Sequence, residues 1–262
     1  MIRALYTAAS GMNAQQSNMD TVANNLANVN TAGFKKSRME FQDLVYQQTV
    51  TPGSPTSTSN EAPVGLEVGL GTRPISTARD FANGNLRATS APLDLAIEGR
   101  GFFQVSLPSG ETVYTRSGSL HMSSEGALVT SEGYNIEPQI TIPPDAIAIA
   151  ISKAGIVSVQ QPGQTAVQEV GTIELATFQN PAGLRALGGN LFAPTTASGE
   201  PTTGAPGQEG IGNVQQGFLE DSNVSVVEEM VNMILAQRAY EANSRVVKAS
   251  DEMLSQVNNL VR

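Results

Sequence analysis

Apolar residues at Leu5, Ala8, Met12, Met19, Val22, Leu26 and Val29 recur at alternating spacings of three and four, with Gln15 as the polar exception. That is the period of an α-helix with one narrow stripe, which buries itself against another helix rather than on a broad core. Gly33 stands where a left-handed residue would end such a helix, and Phe34 follows as a contact back onto its last turn. A second, longer helix is predicted from about Val224 to Arg262, a stretch without Gly or Pro. One broad face gathers Val227, Met230, Val231, Ile234, Tyr240, Val246, Val247, Met253, Leu254, Val257, Leu260 and Val261. Ser222 or Asn223 can cap its start, and Glu228 and Glu229 suit the positive end of the helix dipole. At 1.5 Å per residue it extends up to ~55 Å. Two terminal helices with seam-like stripes most economically pair with each other.

Between them the period changes to two. Leu93, Leu95 and Ile97 alternate with Asp94, Ala96 and Glu98, and strand-like runs follow at Phe102–Val105, Val113–Thr115, Leu128–Thr130, Ile147–Ile151, Ile156–Val159 and Ile173–Phe178. Ser109-Gly110, Glu125-Gly126, Glu132-Gly133, Ala154-Gly155 and Pro162-Gly163 punctuate them as turns. Thr49–Pro63 and Ala193–Gly212 are too rich in Pro, Gly, Ser and Thr for a core and read as exposed loops or arms. After the first of these, Val64, Leu66, Val68 and Leu70 alternate with Gly65, Glu67, Gly69 and Gly71, the pattern of an edge-seeking strand. With its polar lead such an arm can reach ~50 Å, far enough to touch a neighbouring subunit. The alternative is a loop folded back on its own domain. The expected fold is α+β, an antiparallel β-domain inserted between N- and C-terminal helices that pair as a coiled-coil-like bundle. Residues 1–45 and 220–262 then form the helical assembly domain, 46–75 the arm, and 76–219 the β-domain, with an exposed loop at 193–212.

Composition narrows the chemistry. Of 262 residues, 24 are acidic and 15 basic, a net charge of −9 that repels phosphate, so neither nucleic acid nor a membrane surface is an expected partner. There is no Cys and a single His, His121, which removes thiolate and multi-imidazole metal sites and most nucleophilic triads. No 18-residue apolar run crosses a bilayer, and MIRALYTAASGMNAQQ lacks the apolar core of a secretory signal, so any export is expected by a route without a cleaved signal peptide. GLGTRP at Gly69–Pro74 lacks the third glycine of a dinucleotide fingerprint. The acidic pairs Glu220/Asp221, Glu228/Glu229 and Asp251/Glu252 read as a solvated face, and Asn223-Val224-Ser225 is a weak glycosylation match. No catalytic residue, cofactor site or metal site is expected, and no enzyme.

The informative polar motif is ANNLANVNTAGFKK, where Asn24 and Asn28 stand one helical turn apart with Asn25 and Asn30 beside them. Asparagine is a poor helix former, and such a conflict with local propensity marks an interaction surface. The expected subunit interface is therefore Leu5, Met12, Met19, Val22, Asn24, Asn25, Leu26, Asn28, Val29, Gly33 and Phe34, with Val227, Met230, Ile234, Tyr240, Val247, Leu254 and Leu260. Val64, Leu66, Val68 and Leu70 are expected in the inter-subunit arm.

ANNLANVNTAGFKK resembles the N-terminal signature shared by bacterial flagellar rod and hook proteins. GRGFFQV (Gly99–Val105), YTRSGSLHMSSEGALVTSEGYNI (Tyr114–Ile136) and GFLEDSNVSVVEEMVNMILAQRAYEANSRVVKASDEML (Gly217–Leu254) resemble the family's other shared blocks, in the same order. PVGLEVGLGTRP (Pro63–Pro74) after a polar arm is most similar to the distal-rod members. The resemblance implies a structural subunit of the flagellar basal body, exported unfolded through the flagellar type III apparatus. It implies self-assembly as a homo-oligomer into a helical tube, a drive shaft that spans the periplasm and transmits motor torque to the hook. The implied neighbours are the proximal rod proteins, the hook protein and the ring bushing. Alternatives are a proximal rod protein of the same family and, in a different class, a secreted β-domain binding module on a helical stalk.

Overall fold

A computed structural model of the chain describes residues 2–54, 63–162, 167–208 and 210–260. Two compact units emerge: Met1–Ala27 with Ser37–Ala78 and Ser225–Arg262, and Asn28–Lys36 with Arg79–Val224. The first holds both terminal helices and the arm, and the second is built of β-strands with one short 3-10 turn at Pro181–Gly183. The short stretch Asn28–Lys36, grouped with the first helix on sequence alone, belongs instead to the β-unit, where its backbone and Lys35 are bonded.

In the helical unit, α1 (Ile2–Ala27) packs along α2 (Val226–Leu260), and β1 (Ser37–Asp43) also rests on α1. Helix α1 stops short of the expected Gly33. The Asn28 carbonyl accepts the Thr31 amide at 3.1 Å, and Asn28 Oδ1 accepts the Thr31 hydroxyl at 3.2 Å, a turn of the kind short amide side chains favour over helix. Gly33 still takes the left-handed φ of +72°, beyond the helix rather than as its cap. Helix α2 likewise starts later than expected: the Ser225 carbonyl accepts the Glu229 amide at 3.0 Å, which makes Ser225 the cap position in place of Ser222 or Asn223.

The arm forms β2 (Gln47–Val50) and β3 (Leu66–Val68), paired antiparallel with Gln47 opposite Val68 and Gln48 opposite Glu67. The expected strand around Leu66 exists, and its partner is its own chain. The tip at 55–62 lies outside the described residues. The chain returns through β4 (Thr72–Arg79), which pairs with β1.

The β-unit continues with β5 (Leu86–Ala88), β6 (Leu95–Glu98), β7 (Phe102–Ser106), β8 (Thr112–Thr115), β9 (Leu120–Met122), β10 (Leu128–Thr130) and β11 (Asn135–Glu137). Then come β12 (Ala148–Ile151), β13 (Ile156–Gln160), β14 (Gln168–Thr172), β15 (Leu175–Thr177), β16 (Arg185–Gly188) and β17 (Leu191–Ala193). Last are β18 (Thr202–Gly204), β19 (Asn213–Gln216) and β20 (Phe218–Glu220). The main sheet runs β16-β17-β8-β7-β11-β10-β9, with β15 also on β7 and β18 on β15, while β12-β13-β14 form a second antiparallel sheet. Strand β7 is covered on both faces. Phe103 enters the main core with Leu95, Ile97, Leu120 and Ile173, and Phe102 enters an edge-to-face aromatic cluster with Phe81, Phe178 and Phe192. Gly110, Gly126, Gly133 and Gly155 hold positive φ at the expected turns, and Gly163 lies outside the described residues.

The segment 193–212 is not an exposed loop throughout. Its Thr202–Gly204 strand pairs with β15, and Ser198 is fully buried, its hydroxyl donating to the Thr195 carbonyl at 2.8 Å. Threonine and glycine satisfied through backbone bonds leave no hydrophobic period to read, so composition alone classed them as loop.

Candidate assembly surfaces

The stripe along α2 divides between two faces. Val226, Met233, Val247 and Leu254 are half-buried, and Glu229, Ala236 and Ser250 are buried on the same side of the helix. With half-buried Asn243, the latter three repeat every seven residues, the period of a helix seam. On α1 the matching side buries Ala8, Ala14, Val22 and Asn25, with Leu5, Met12, Met19 and Leu26 half-buried. The seam closes on small residues: a Cβ on Gly11 would come within 2.8 Å of Asn243 Nδ2. Val227 (74% exposed), Met230, Val231, Ile234 (53%) and Leu235 stand together on the other side of α2, facing solvent. Of the expected interface residues, Val247 and Leu254 thus lie in the seam, Val227, Met230 and Ile234 lie away from it, and Tyr240 is exposed. The Leu260 side chain and Val261 are outside the described residues.

The asparagines separate in the same way. Asn25 is buried, its Nδ2 donating to the Ser37 carbonyl at 2.8 Å while Oδ1 accepts the Ser37 amide at 2.9 Å. The side chain amide stands in for a neighbouring strand at the first residue of β1. The same Nδ2 donates to Glu229 Oε2 at 3.3 Å, tying α1, β1 and α2 at one point. Glu229, expected on a solvated face, is buried there. Asn24 is exposed, and Asn28, Val29 and Phe34 are half-buried in the β-unit. In the arm, Val64, Leu66 and Leu70 are exposed and Val68 half-buried, with Val45, Tyr46 and Val50 also exposed.

The β-unit holds a cluster that the sequence reading missed. Lys35, Arg116 and Glu220 are all buried. Lys35 Nζ donates to Glu220 Oε1 and to the Ala82 carbonyl, both at 2.7 Å. Arg116 donates through Nε to Glu220 Oε2 at 2.9 Å and through Nη1 to the carbonyls of Gly99 and Gly101. The Gly84 amide completes the carboxylate's shell at 2.9 Å. Burial pushes the Glu220 carboxyl up, but the charges of Arg116 and Lys35 outweigh it and hold the group below its ordinary value. Burial, then the Arg116 charge, lowers the Lys35 ammonium against the pull of Glu220. Around this core the Gly33 amide donates to the Glu220 carbonyl at 2.8 Å, and Asn223 accepts the Lys36 amide at 2.7 Å while donating to Asp80 and Ala82. A Cβ at Gly33 would lie 2.7 Å from the Ser117 backbone nitrogen, so glycine is required there for space as well as for φ. Glu220 is therefore no solvated acid. The available signal was weak: a lysine, an arginine and a glutamate in three separate blocks of the family pattern.

Among the described residues no group of His, Cys, Asp and Glu is placed to hold a metal ion, and His121 is exposed on β9, 3.4 Å from the Ser131 hydroxyl. Three family patterns match: the flagella basal body rod protein at residues 5–35, the flagellar hook protein FlgE/F/G D1 domain at 96–159, and the flagellar basal body rod FlgEFG protein C-terminal at 215–260. Each matched stretch supplies one member of the buried cluster: Lys35, Arg116 and Glu220. Over the whole of both chains, the sequence is 52% identical to the flagellar basal-body rod protein FlgG of Borreliella burgdorferi. The chain belongs to the FlgG family of flagellar basal-body rod proteins. FlgG of Caulobacter vibrioides is 48% identical over 99% of each chain, and FlgG of Bacillus subtilis 39% over all of both. As a FlgG-family protein, the chain is a structural subunit of the flagellar basal-body rod, and no helix among its described residues is long and apolar enough to cross a membrane.

Proposed function

We propose that the chain builds the distal rod by polymerising into a helical tube, a drive shaft that carries motor torque to the hook. The observation that carries this reading is the second face of α2. One face is used against α1, whereas Val227, Met230, Val231, Ile234 and Leu235 remain on the other. Covering each such side chain contributes roughly 1.5–3 kcal/mol, so a neighbouring copy's helices are the natural cover. Contacts that repeat head to tail with a rotation that does not close generate a tube rather than a ring. The arm supplies a second contact. A two-stranded hairpin is marginal alone, and the exposed Tyr46, Val64, Leu66 and Leu70 suit burial between copies. In this reading the subunit works without catalysis and without a cofactor. It leaves the cytosol unfolded through the flagellar type III apparatus and assembles across the periplasm. There it meets proximal rod proteins below, the hook protein above and the ring bushing around it.

Negative-stain microscopy and sedimentation of concentrated full-length protein test the reading. Wild-type protein is expected to pellet as tubes, and Ile234→Asp to remain soluble with an unchanged β-type circular dichroism spectrum. Discrete particles from the wild type at every concentration would overturn it.

A further inference from the structure

We infer that a pocket beside Arg79 receives a carboxylate side chain from a second copy of this chain. The inference rests on the polymerisation reading and assigns it a specific polar contact. Arg79, the last residue of β4, is itself part of the β-unit, its guanidinium carbon 5.1 Å above the Phe192 ring. It is half-buried, yet its guanidinium forms no hydrogen bond or ion pair among the described residues. The chain's other well-placed arginines differ. Arg116 donates to Glu220 and to backbone carbonyls, Arg87 reaches Asp221 at 3.0 Å and Arg38 reaches Glu40 at 3.3 Å. Burial lowers the Arg79 pKa, although a guanidinium keeps its charge at neutral pH.

Arg79 opens onto a pocket of about 210 Å³ lined by Asn28, Phe34, Lys35, Asn190 and Leu191. Lys35 is already committed to Glu220, so Arg79 is the cation there with donors to offer. A planar guanidinium with one face on an aromatic ring and its edge free matches a carboxylate bidentately. Phe34 and Leu191 offer apolar surface for the methylene stem of Asp or Glu, which a free anion would leave uncovered. The supply is present in every copy, since the chain carries 24 acids against 15 bases. In a polymer of identical subunits, one copy's surplus carboxylate meets the next copy's unpaired arginine, with charge complementarity fixing register.

The test is the critical concentration for assembly of full-length protein, measured by sedimentation. Arg79→Ala is expected to raise it roughly tenfold or more, and Arg79→Lys, which keeps the charge but loses the fork, several-fold. Wild-type assembly should weaken with added NaCl more steeply than that of Arg79→Ala. Melting of the β-signal in the monomer should shift only modestly, because among the described residues the one contact of the Arg79 guanidinium within its own chain is the face of Phe192. If Arg79→Ala does melt early, Arg79→Lys decides. Variants that assemble at the wild-type concentration with the wild-type salt slope would overturn this inference and leave the tube reading intact, whereas a wild type that never polymerises would overturn both. Assembly lost on dialysis into chloride buffer and restored by acetate would make a small anion the occupant and also overturn it.

Discussion

Glu220 and Asp221 are adjacent carboxylates with opposite roles. Asp221 makes a partly exposed pair with Arg87, of a kind that contributes at most about 1 kcal/mol. Glu220 is bonded to two buried cations, Lys35 and Arg116. Replacing it by Gln leaves Lys35 and Arg116 uncompensated, and Glu220→Gln is expected to destabilise the β-unit by about 3–5 kcal/mol in urea unfolding followed by its β-signal. The pH dependence has a definite sign. Because the folded pKa lies below the ordinary 4.5, the carboxylate's contribution is fully present above about that pH and is lost as pH falls through the depressed value. Wild-type stability should therefore drop on acidification in that window, and Glu220→Gln should show a flatter profile there. An equal acid slope in both proteins would show that other carboxylates control it.

At the scale of elements, helix α2 has a face for its own chain and a face for others. Ala236, 2% exposed, sits in the seam one turn along from Met233 and two from Glu229, while Ile234 stands on the open side. Aspartate at the two positions should act differently. Ala236→Asp places an unpaired charge between α1 and α2 and should lower the thermal transition of the helical signal in the monomer, at a cost of several kcal/mol. Ile234→Asp should leave that transition within about 0.5 kcal/mol of wild type while abolishing the polymer. Identical monomer melting for the two variants would mean that the seam and the open face have been wrongly distinguished.

Across the whole molecule, the two units have unequal cores. The β-unit buries large side chains such as Phe103, Leu95, Ile97 and Leu175 completely, whereas the helical unit buries Ala8, Ala14, Val22 and Ala236. Hydrophobic stabilisation scales with apolar area, so the helical unit should open first and more often. Limited trypsin digestion of dilute monomer is expected to cut at Arg3, Arg238, Arg245 and Lys248 well before Lys35 or Arg116, which are buried in the cluster with Glu220. Mass spectrometry of the fragments checks the order. Early cleavage after Lys35 would show that the cluster does not hold in the free subunit.

The two terminal helices and many of the β-strands were legible along the chain, because a period of 3.5 or 2 in side-chain polarity is a local record of which side of an element is covered. Strands of Thr, Gly and Gln, such as β18 and β2, left no such record, since their partners bond backbone to backbone. The asparagine run was visible as a conflict with helix propensity. Only the fold separated its members, turning Asn25 inward onto Ser37 and Glu229 and making Asn28 the turn that ends α1. A stripe of apolar residues on α2 could not say which of them face α1, because a helix with two apolar sides has the same composition whichever neighbour arrives first. Nor could any local pattern distinguish Glu220 from Asp221, since burial of a charge depends on cations brought from residues 35 and 116, and that meeting exists only once the chain has folded.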